Sequence, residues 1–308
     1  MKLLFASDSF KGSLSSQQTA LLLTEAAHRV WGDAVRCESL PMADGGEGTI
    51  EAIIEARGGH YIPMRVEGPL GTEVQAGYGC ISAPTSEQGG EAIIEMARAS
   101  GLPLVPPALR NPLCTSTYGT GQLIRDALDR GFRRLYIAIG GSATNDGGMG
   151  CMRALGVRFL DSEGTELAGR GEDLERLCTI DTTQLDPRIG SCQLVVMCDV
   201  DNPLCGPEGA THTFSAQKGA TPAVQERLER GMQHYRDVII SHSGINPDTI
   251  PGSGAAGGLG AALLVFLGAK LLSGIEAVLE ATRFDQRLQG VDLVITGEGR
   301  TDWQSCRG

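Results

Sequence analysis

Residues 140–150 read GGSATNDGGMG, and this stretch decides the fold of the chain. The apolar run LYIAI (135–139) precedes it, and the short helical pattern CMRAL (151–155) follows it. An apolar run bounded by glycine is typical of a buried strand. The sequence therefore predicts a strand, a glycine-rich turn and the start of a helix.

The turn has the composition of an anion site. Glycines let backbone N–H groups approach an anion closely, and a helix N-terminus adds positive partial charge. No Lys-Ser or Lys-Thr pair follows, so the stretch is not a P-loop. The polar residues that it presents are Ser142, Thr144, Asn145 and Asp146.

The composition is that of an α/β protein, with 308 residues, 43 glycines and a hydrophobic fraction of 41%. This length allows one large domain or two ordinary ones. The net charge of −11 argues against nucleic acid or an anionic membrane as the main partner, although it does not exclude a small anionic substrate.

The nine cysteines include no C-x-x-C pair, and the five histidines are scattered. This pattern predicts a reduced cytoplasmic protein without a zinc site. The N-terminal apolar stretch is too short for a signal peptide, and the longest apolar run (261–267) is far below the roughly 20 residues of a membrane span.

The first strand, residues 2–6, is followed by Asp8 and Lys11. Ligands of open α/β sheets bind beyond the carboxyl ends of strands, although a capping aspartate and a solvated lysine explain the same pair equally well. A capping box, Ser15 with Gln18, then begins a helix. The apolar stripe that we predict for this helix is Ala20, Leu23, Ala27 and Val30.

The second glycine-rich loop, ADGGEGT (43–49), follows a strand that ends before Met42. The spacing of Asp44 and Glu47 favours a helix cap. The glycines between them, Gly45 and Gly46, also suit the close approach of a ligand or Mg²⁺.

The pattern changes from βα units to a hairpin between residues 60 and 68, which indicates a domain boundary. An alternation at Val74, Ala76, Tyr78 and Cys80 predicts a half-exposed antiparallel strand. Residues 117–131 predict a helix that Thr117 or Thr120 caps and Gly131 ends.

Two later loops contain both glycines and charged residues. Asp199 and Asp201 follow the strand at 193–198 and suit either Mg²⁺ binding or an Asx turn. Glu298 and Arg300 follow the apolar strand at 291–296.

The stretch GSGAAG (252–257) matches a dinucleotide fingerprint by letter, but no strand precedes it. We therefore reject a dinucleotide site there. A glycine-rich anion loop and close packing of small residues both stay open.

Several strands thus end in loops that combine glycines with carboxylates, a set that suggests one shared site for phosphate and Mg²⁺. The residues alone indicate phosphoryl transfer or hydrolysis and do not name an acceptor. The carboxylates concerned are Asp8, Asp44, Asp146, Asp199 and Glu298.

Beyond this pattern, the chain resembles the bacterial glycerate kinase family, of the type that makes 2-phosphoglycerate. The match runs in order from residue 1 to residue 308. Its motifs are SDSFKGSLS (7–15), MADGGEGT (42–49), GPLG (68–71), AIGGSATNDGG (138–148), CDVDNPL (198–204), QKGAT (217–221), GAAGGLGAAL (254–263) and VITGEGRTD (294–302).

The resemblance implies ATP- and Mg²⁺-dependent phosphorylation of D-glycerate in a cleft between two α/β domains. It implies a discontinuous flavodoxin-like parallel-sheet domain, residues 1–65 plus 280–308, and an inserted mixed α/β domain, residues 66–279. Neither nucleic acid nor membrane is an expected partner, and a homo-oligomer is left open.

The resemblance fixes positions better than roles. Lys11 and Arg300 are candidate cations for the substrate, and Asp8, Asp44 and Asp199 are candidates for the base. Asp44 and Asp199 are also the candidate metal ligands. Candidate contacts to substrate or phosphate are Gly45, Gly46, Glu47, Gly141, Ser142, Thr144, Asn145, Asp146, Glu298 and Arg300.

The chain departs from the family pattern at Ser7, at FSAQKG (214–219), and at Thr301 and Trp303. Family members also continue past Gly308, so we expect a flavodoxin-like domain that is incomplete at its C-terminus, with low stability or activity. A glycerate-binding fragment without turnover and a Mg²⁺-dependent phosphohydrolase are the alternatives.

Two substitutions test the predicted site. We expect Asp44→Asn and Lys11→Ala each to lower the rate of D-glycerate-dependent ADP formation, since the first removes a carboxylate and the second a cation. Unchanged turnover in either variant would remove that residue from the site.

Overall fold

The structure is a computed structural model that describes residues 1–7, 10, 13–40, 42, 48–85 and 89–298. Its secondary structure alternates strands and helices, as the sequence predicts for an α/β protein. The strands are β1 (Lys2–Ser7), β2 (Arg36–Ser39), β3 (His60–Glu67), β4 (Glu73–Ser82), β5 (Gly90–Glu95), β6 (Phe132–Ala138), β7 (Arg158–Leu160), β8 (Thr179–Asp181), β9 (Gln193–Met197), β10 (Lys270–Leu272) and β11 (Leu293–Gly297). The helices are α1 (Ser16–Trp31), α2 (Thr49–Arg57), α3 (Ala97–Ser100), α4 (Tyr118–Asp129), α5 (Met149–Ala154), α6 (Ala210–Phe214), α7 (Pro222–Ser243), α8 (Ala255–Leu267), α9 (Gly274–Thr282) and α10 (Phe284–Arg287).

The larger sheet has six strands in the order β10-β9-β6-β5-β4-β3. Its first four strands are parallel, and β4 and β3 add an antiparallel edge. Side chains of a strand alternate between the two faces of its sheet. Thus Leu135 and Ile137 of β6 face the core that contains α4, α5 and α8, whereas Tyr136 faces the opposite side.

The opposite face of this sheet is covered by α2 and α9. Ile50 and Ile53 of α2 are buried together with Ala277 and Val278 of α9 against the strands. Because both faces are covered, β4 is buried from Ala76 to Ile81. The prediction of a half-exposed strand was wrong because α2 covers the second face of β4, and the alternation within the strand does not reveal this helix.

The smaller sheet has three parallel strands in the order β11-β1-β2. One face packs on α1, through Leu3, Phe5 and Ala27. The other face, through Leu4 and Leu40, packs on Ala56 of α2 and on α10. Helix α2 therefore lies between the two sheets and contacts both.

The capping box of α1 is confirmed, because the Ser15 hydroxyl accepts from Gln18 N and the Gln18 side chain accepts from Ser15 N. The predicted apolar stripe is only partly correct. Ala20 and Ala27 are buried, whereas Val30 is 69% exposed, because the packing of α1 on the sheet ends at Ala27.

The mixed α/β class is confirmed, with one all-parallel sheet, one mixed sheet and the antiparallel pair of β7 and β8. The division into domains at residues 65 and 66 stays a prediction; the strand at this point, β3, begins at His60 and belongs to the six-stranded sheet. Among the helices of the described ranges, none combines the length and the apolarity that crossing a membrane requires.

The central strand β6 supplies a test of the core. Leu135 is completely buried, so we expect Leu135→Ala to lower the free energy of unfolding by about 2–5 kcal/mol, as core truncations do. The measurement is urea denaturation followed by circular dichroism.

Leu21→Ala is the matched control, because Leu21 on α1 is 66% exposed. We expect it to change stability by less than about 0.5 kcal/mol. Equal losses in the two variants would contradict the assignment of β6 to the core.

Candidate active site

The site lies where parallel strands end side by side. Strands β5, β6, β9 and β10 run in the same direction, so their carboxyl ends meet at one edge of the sheet. A pocket of about 310 Å³ opens at the ends of β6 and β9. Its lining residues are Leu102, Ile139, Gly140, Gly141, Ser142, Met197, Cys198, Asp199, Val200, Phe214, Gln217, Lys218, Ala255 and Ala256.

The glycine-rich loop reaches this pocket with its first residues. Gly141 has φ +74°, which favours glycine, and its carbonyl accepts from Leu102 N at 2.9 Å. Ala143 N donates to Ser100 O at 2.9 Å. These backbone bonds fix the loop against the end of α3 and hold Gly141 and Ser142 on the pocket wall.

The later part of the loop is buried. Thr144, Asn145 and Asp146 are each 0% exposed and are absent from the pocket lining. Asn145 Nδ2 donates to Thr211 Oγ1 of α6 at 3.2 Å. The structure therefore separates the predicted contacts, since Gly141 and Ser142 line the pocket and the other three hold the loop in place.

The Asp146 carboxylate holds three segments together. Its Oδ2 accepts from Thr117 N and from Thr117 Oγ1, both at 2.7 Å, and from Gly150 N at 3.3 Å. Its Oδ1 accepts from Gly148 N at 3.1 Å. Burial raises the pKa of Asp146, while these four donors act in the opposite direction by favouring the charged form.

The sequence predicts that Thr117 or Thr120 caps α4; Thr117 is at the N-cap position, but its side chain makes no capping hydrogen bond. Its hydroxyl donates to Asp146 and accepts from Cys151 N at 2.9 Å, so it supports the first turn of α5. The correction follows from tertiary structure, because the hydroxyl finds stronger partners on the neighbouring loop.

Among the described residues, Lys218 is a functional candidate that the sequence interpretation missed. It is 2% exposed, and its Nζ donates to Ser142 Oγ and to Thr144 O, each at 2.7 Å. Burial lowers the pKa of Lys218 to about 7, although the Asp146 charge raises it. The sequence contained a signal for this residue, because Lys218 lies in the motif QKGAT (217–221).

Asp199 follows β9 and lines the pocket, as predicted. Its Oδ1 accepts from Gly274 N at 2.6 Å, at the start of α9. Asp201 is exposed and does not line the pocket. Within the described ranges, no group of three or more metal-binding side chains is present.

The stretch at residues 252–257 packs closely on the glycine-rich loop. Gly147 N donates to Gly257 O at 3.0 Å, and a Cβ on Gly257 would lie 2.1 Å from Thr144 O. Ala256 and Gly257 have positive φ. Close packing of small residues is therefore what this stretch provides, and Ala256 also reaches the pocket wall.

Seven predicted residues lie outside the described ranges: Asp8, Lys11, Asp44, Gly45, Gly46, Glu47 and Arg300. Before the second loop, Met42 packs against apolar residues of both the six-stranded and the three-stranded sheet. After the loop, Ile50 N donates to Glu95 Oε1 at 2.9 Å. Glu298 follows β11 on the smaller sheet and does not line the pocket.

Comparison with known proteins gives a consistent result. A model of the glycerate kinase family matches residues 3–308. The chain is 48% identical over 306 residues to a glycerate kinase of Halalkalibacterium halodurans, covering 99% of this chain and 79% of that protein. It is 46% identical over 308 residues to the glycerate 2-kinase of Escherichia coli, covering 100% of this chain and 79% of that protein.

A solved structure is similar over the whole chain. It is a crystal structure assigned as glycerate kinase 2 from Salmonella typhimurium, with a TM-score of 0.93 and 48% identity. The match covers 100% of this chain and 81% of that one.

The Asp146 network supplies a test of the loop. We expect Thr117→Val to lower the free energy of unfolding by about 1–3 kcal/mol, because Cys151 N loses its acceptor and Asp146 loses a donor. Urea denaturation measures the change.

The matched control is Thr165→Val, which makes the same substitution at an exposed position. Its effect is expected to stay within about 0.5 kcal/mol. If Thr117→Val were as mild as the control, the hydroxyl would not support α5.

Proposed function

The chain belongs to the glycerate kinase family, and we propose that it transfers the γ-phosphoryl group of ATP to the 2-hydroxyl of D-glycerate. Activity as a glycerate kinase follows from the family model and from the curated relatives. The choice of the 2-hydroxyl is supported by the 46% identity to a protein named glycerate 2-kinase.

The observation that carries the proposal is the pocket at the ends of β6 and β9. It places the exposed backbone of Gly140 and Gly141 beside one buried cation, Lys218, and one carboxylate, Asp199. Phosphoryl transfer needs donors that neutralise phosphate charge and a carboxylate that orients a hydroxyl. This pocket provides both kinds of group.

The lining of the pocket suits a nucleotide. Leu102, Met197, Val200 and Phe214 give it an apolar side, and the glycine-rich loop gives it a polar side. Ligand pockets are typically apolar with a few placed polar groups, and they start at about 300 Å³. We propose that ATP binds here, with its phosphates towards the loop.

Mg²⁺ fits the donor set at this pocket. In kinases the ion is commonly held by one or two carboxylates together with substrate phosphates, so a cluster of three ligands is not required. We propose Asp199 and Asp44 as its ligands. When bound, Mg²⁺ neutralises charge on the transferred phosphoryl group.

The transfer forms a bond between the glycerate hydroxyl oxygen and the γ-phosphorus, and it breaks the bond from that phosphorus to ADP. The hydroxyl proton passes to a carboxylate, for which we propose Asp8, Asp44 or Asp199. Lys11 and Arg300 remain our proposed cations for the glycerate carboxylate, and Glu298 a proposed substrate contact.

We propose further that the two sheets belong to two domains whose cleft holds the substrates, and that the enzyme acts in the cytoplasm. Eight cysteines of the described ranges are free, as is usual in a reducing compartment. Self-association stays open.

The proposed function predicts ADP formation that depends on D-glycerate. With purified protein, MgATP and a coupled ADP assay, we expect ADP release to rise at least about tenfold when D-glycerate is added, because the site positions an acceptor hydroxyl. NMR of the product identifies 2-phosphoglycerate.

Equal ADP release with and without D-glycerate would contradict the proposal and favour a phosphohydrolase. The matched pair of variants is Asp199→Asn and Asp201→Asn, of which the first changes a residue that lines the pocket and the second a neighbour that does not. We expect a loss of about 10²-fold or more in kcat for the first only.

A further inference from the structure

We propose that Lys218 is the anion-binding cation of the pocket, with its ammonium completed by an oxygen of a bound carboxylate or phosphate. This assignment rests on the proposed function for the identity of the anions, which are the carboxylate of glycerate and the phosphates of the nucleotide. It makes Lys218 a residue that touches ligand.

The first support is the number of hydrogen bonds. An ammonium group has three N–H donors and no acceptor. The Nζ of Lys218 donates to Ser142 Oγ and Thr144 O, both of which are neutral acceptors. A third donor is left for a partner within the pocket that Lys218 lines.

The second support is charge. Taking a cation out of water is costly unless it is paired with an opposite charge. Lys218 is 2% exposed, and its Nζ forms no ion pair within 4.0 Å with any carboxylate of the described ranges. Asp146 acts on it only at longer range and is already bonded to Thr117, Gly148 and Gly150.

The third support is the composition of the pocket wall. Within the described lining, Lys218 is the only basic residue, and it lies beside the exposed backbone of Gly140 and Gly141. Such glycine backbone can approach an anion closely. The same wall therefore offers a ligand both the ammonium group of Lys218 and exposed glycine backbone.

The assignment has a consequence for pH dependence. Within the described ranges, the titratable groups around Lys218 are Asp146 on the loop and Cys198 and Asp199 after β9; His212 on α6 is exposed. Burial raises the pKa of the Cys198 thiol, so that thiol stays neutral near pH 7. Burial lowers the pKa of Lys218 to about 7, so among these described groups its charge is the one expected to change near pH 7.

An anion binds the protonated lysine more tightly and so raises the pKa of Lys218. Affinity should be constant below about pH 7 and should fall by up to about tenfold per pH unit above it, because the free protein then loses the proton that the complex retains.

The experiment measures dissociation constants by calorimetry, with MgATP and with D-glycerate in separate titrations, from about pH 6 to pH 9. The ligand that contacts Lys218 should show the fall in affinity. In Lys218→Met that ligand should bind about 10- to 100-fold more weakly at pH 6, with little pH dependence, while the other ligand is unaffected.

Two variants separate ligand binding from support of the loop. Lys270→Met makes the same change at an exposed lysine and should match the wild type. Ser142→Ala removes one partner of Lys218 but keeps the ammonium, so the pH dependence should persist. If Lys218→Met retained the wild-type pH dependence, Lys218 would only support the loop and the assignment would be overturned.

If Lys218→Met does not fold, the pH dependence of ligand binding to the wild-type protein still tests the assignment. Affinities that do not change with pH for both ligands would overturn the assignment. Failure of the proposed function is distinguished separately, because it would appear as wild-type protein that releases no glycerate-dependent ADP.

Discussion

The site depends on one buried carboxylate. Asp146 receives four hydrogen bonds, from Thr117 at the start of α4 and from Gly148 and Gly150 at the start of α5. A buried charge is stable only when it is fully hydrogen-bonded, so these donors determine the path of the loop. The loop in turn presents Ser142 Oγ and Thr144 O to Lys218. The position of the pocket cation is therefore fixed by a residue that does not itself line the pocket.

Much of this arrangement is local and was predicted from the sequence. The strand, turn and helix around residues 140–150 follow from an apolar run, glycines and a helical pattern, and the structure confirms them as β6, the loop and α5. The position of Asp199 after a strand also follows from local pattern. Burial of Asp146 does not, because its partner Thr117 lies 29 residues away, and the partner of Lys218, Thr144, lies 74 residues away. The spacing of residues along the sequence does not predict such long-range pairs.

The wrong predictions, for Val30 of α1 and for the exposure of β4, also result from contacts between distant elements. Val30 is apolar and correctly phased, yet it is exposed because the packing of α1 on the sheet ends one turn earlier, at Ala27. Cys80 and its alternating neighbours suggested one solvated face, but α2 covers it. In both cases the pattern gives the local structure, and burial is decided by an element that the pattern does not contain. Gly257 shows the reverse case, because its contact with Thr144 O explains why only glycine fits there.

The smaller sheet has a consequence for the order of folding. β1 pairs with β11, with Leu3 opposite Leu293, whereas every strand of the six-stranded sheet lies between residues 60 and 272. At about 5–20 residues per second, a ribosome completes the partner of β1 roughly 15–60 s after β1 itself. Distant pairings also cost the most loop-closure entropy and form slowly. During synthesis the edge of β1 that pairs with β11 thus stays open while the larger sheet assembles, although the other edge can already pair with β2.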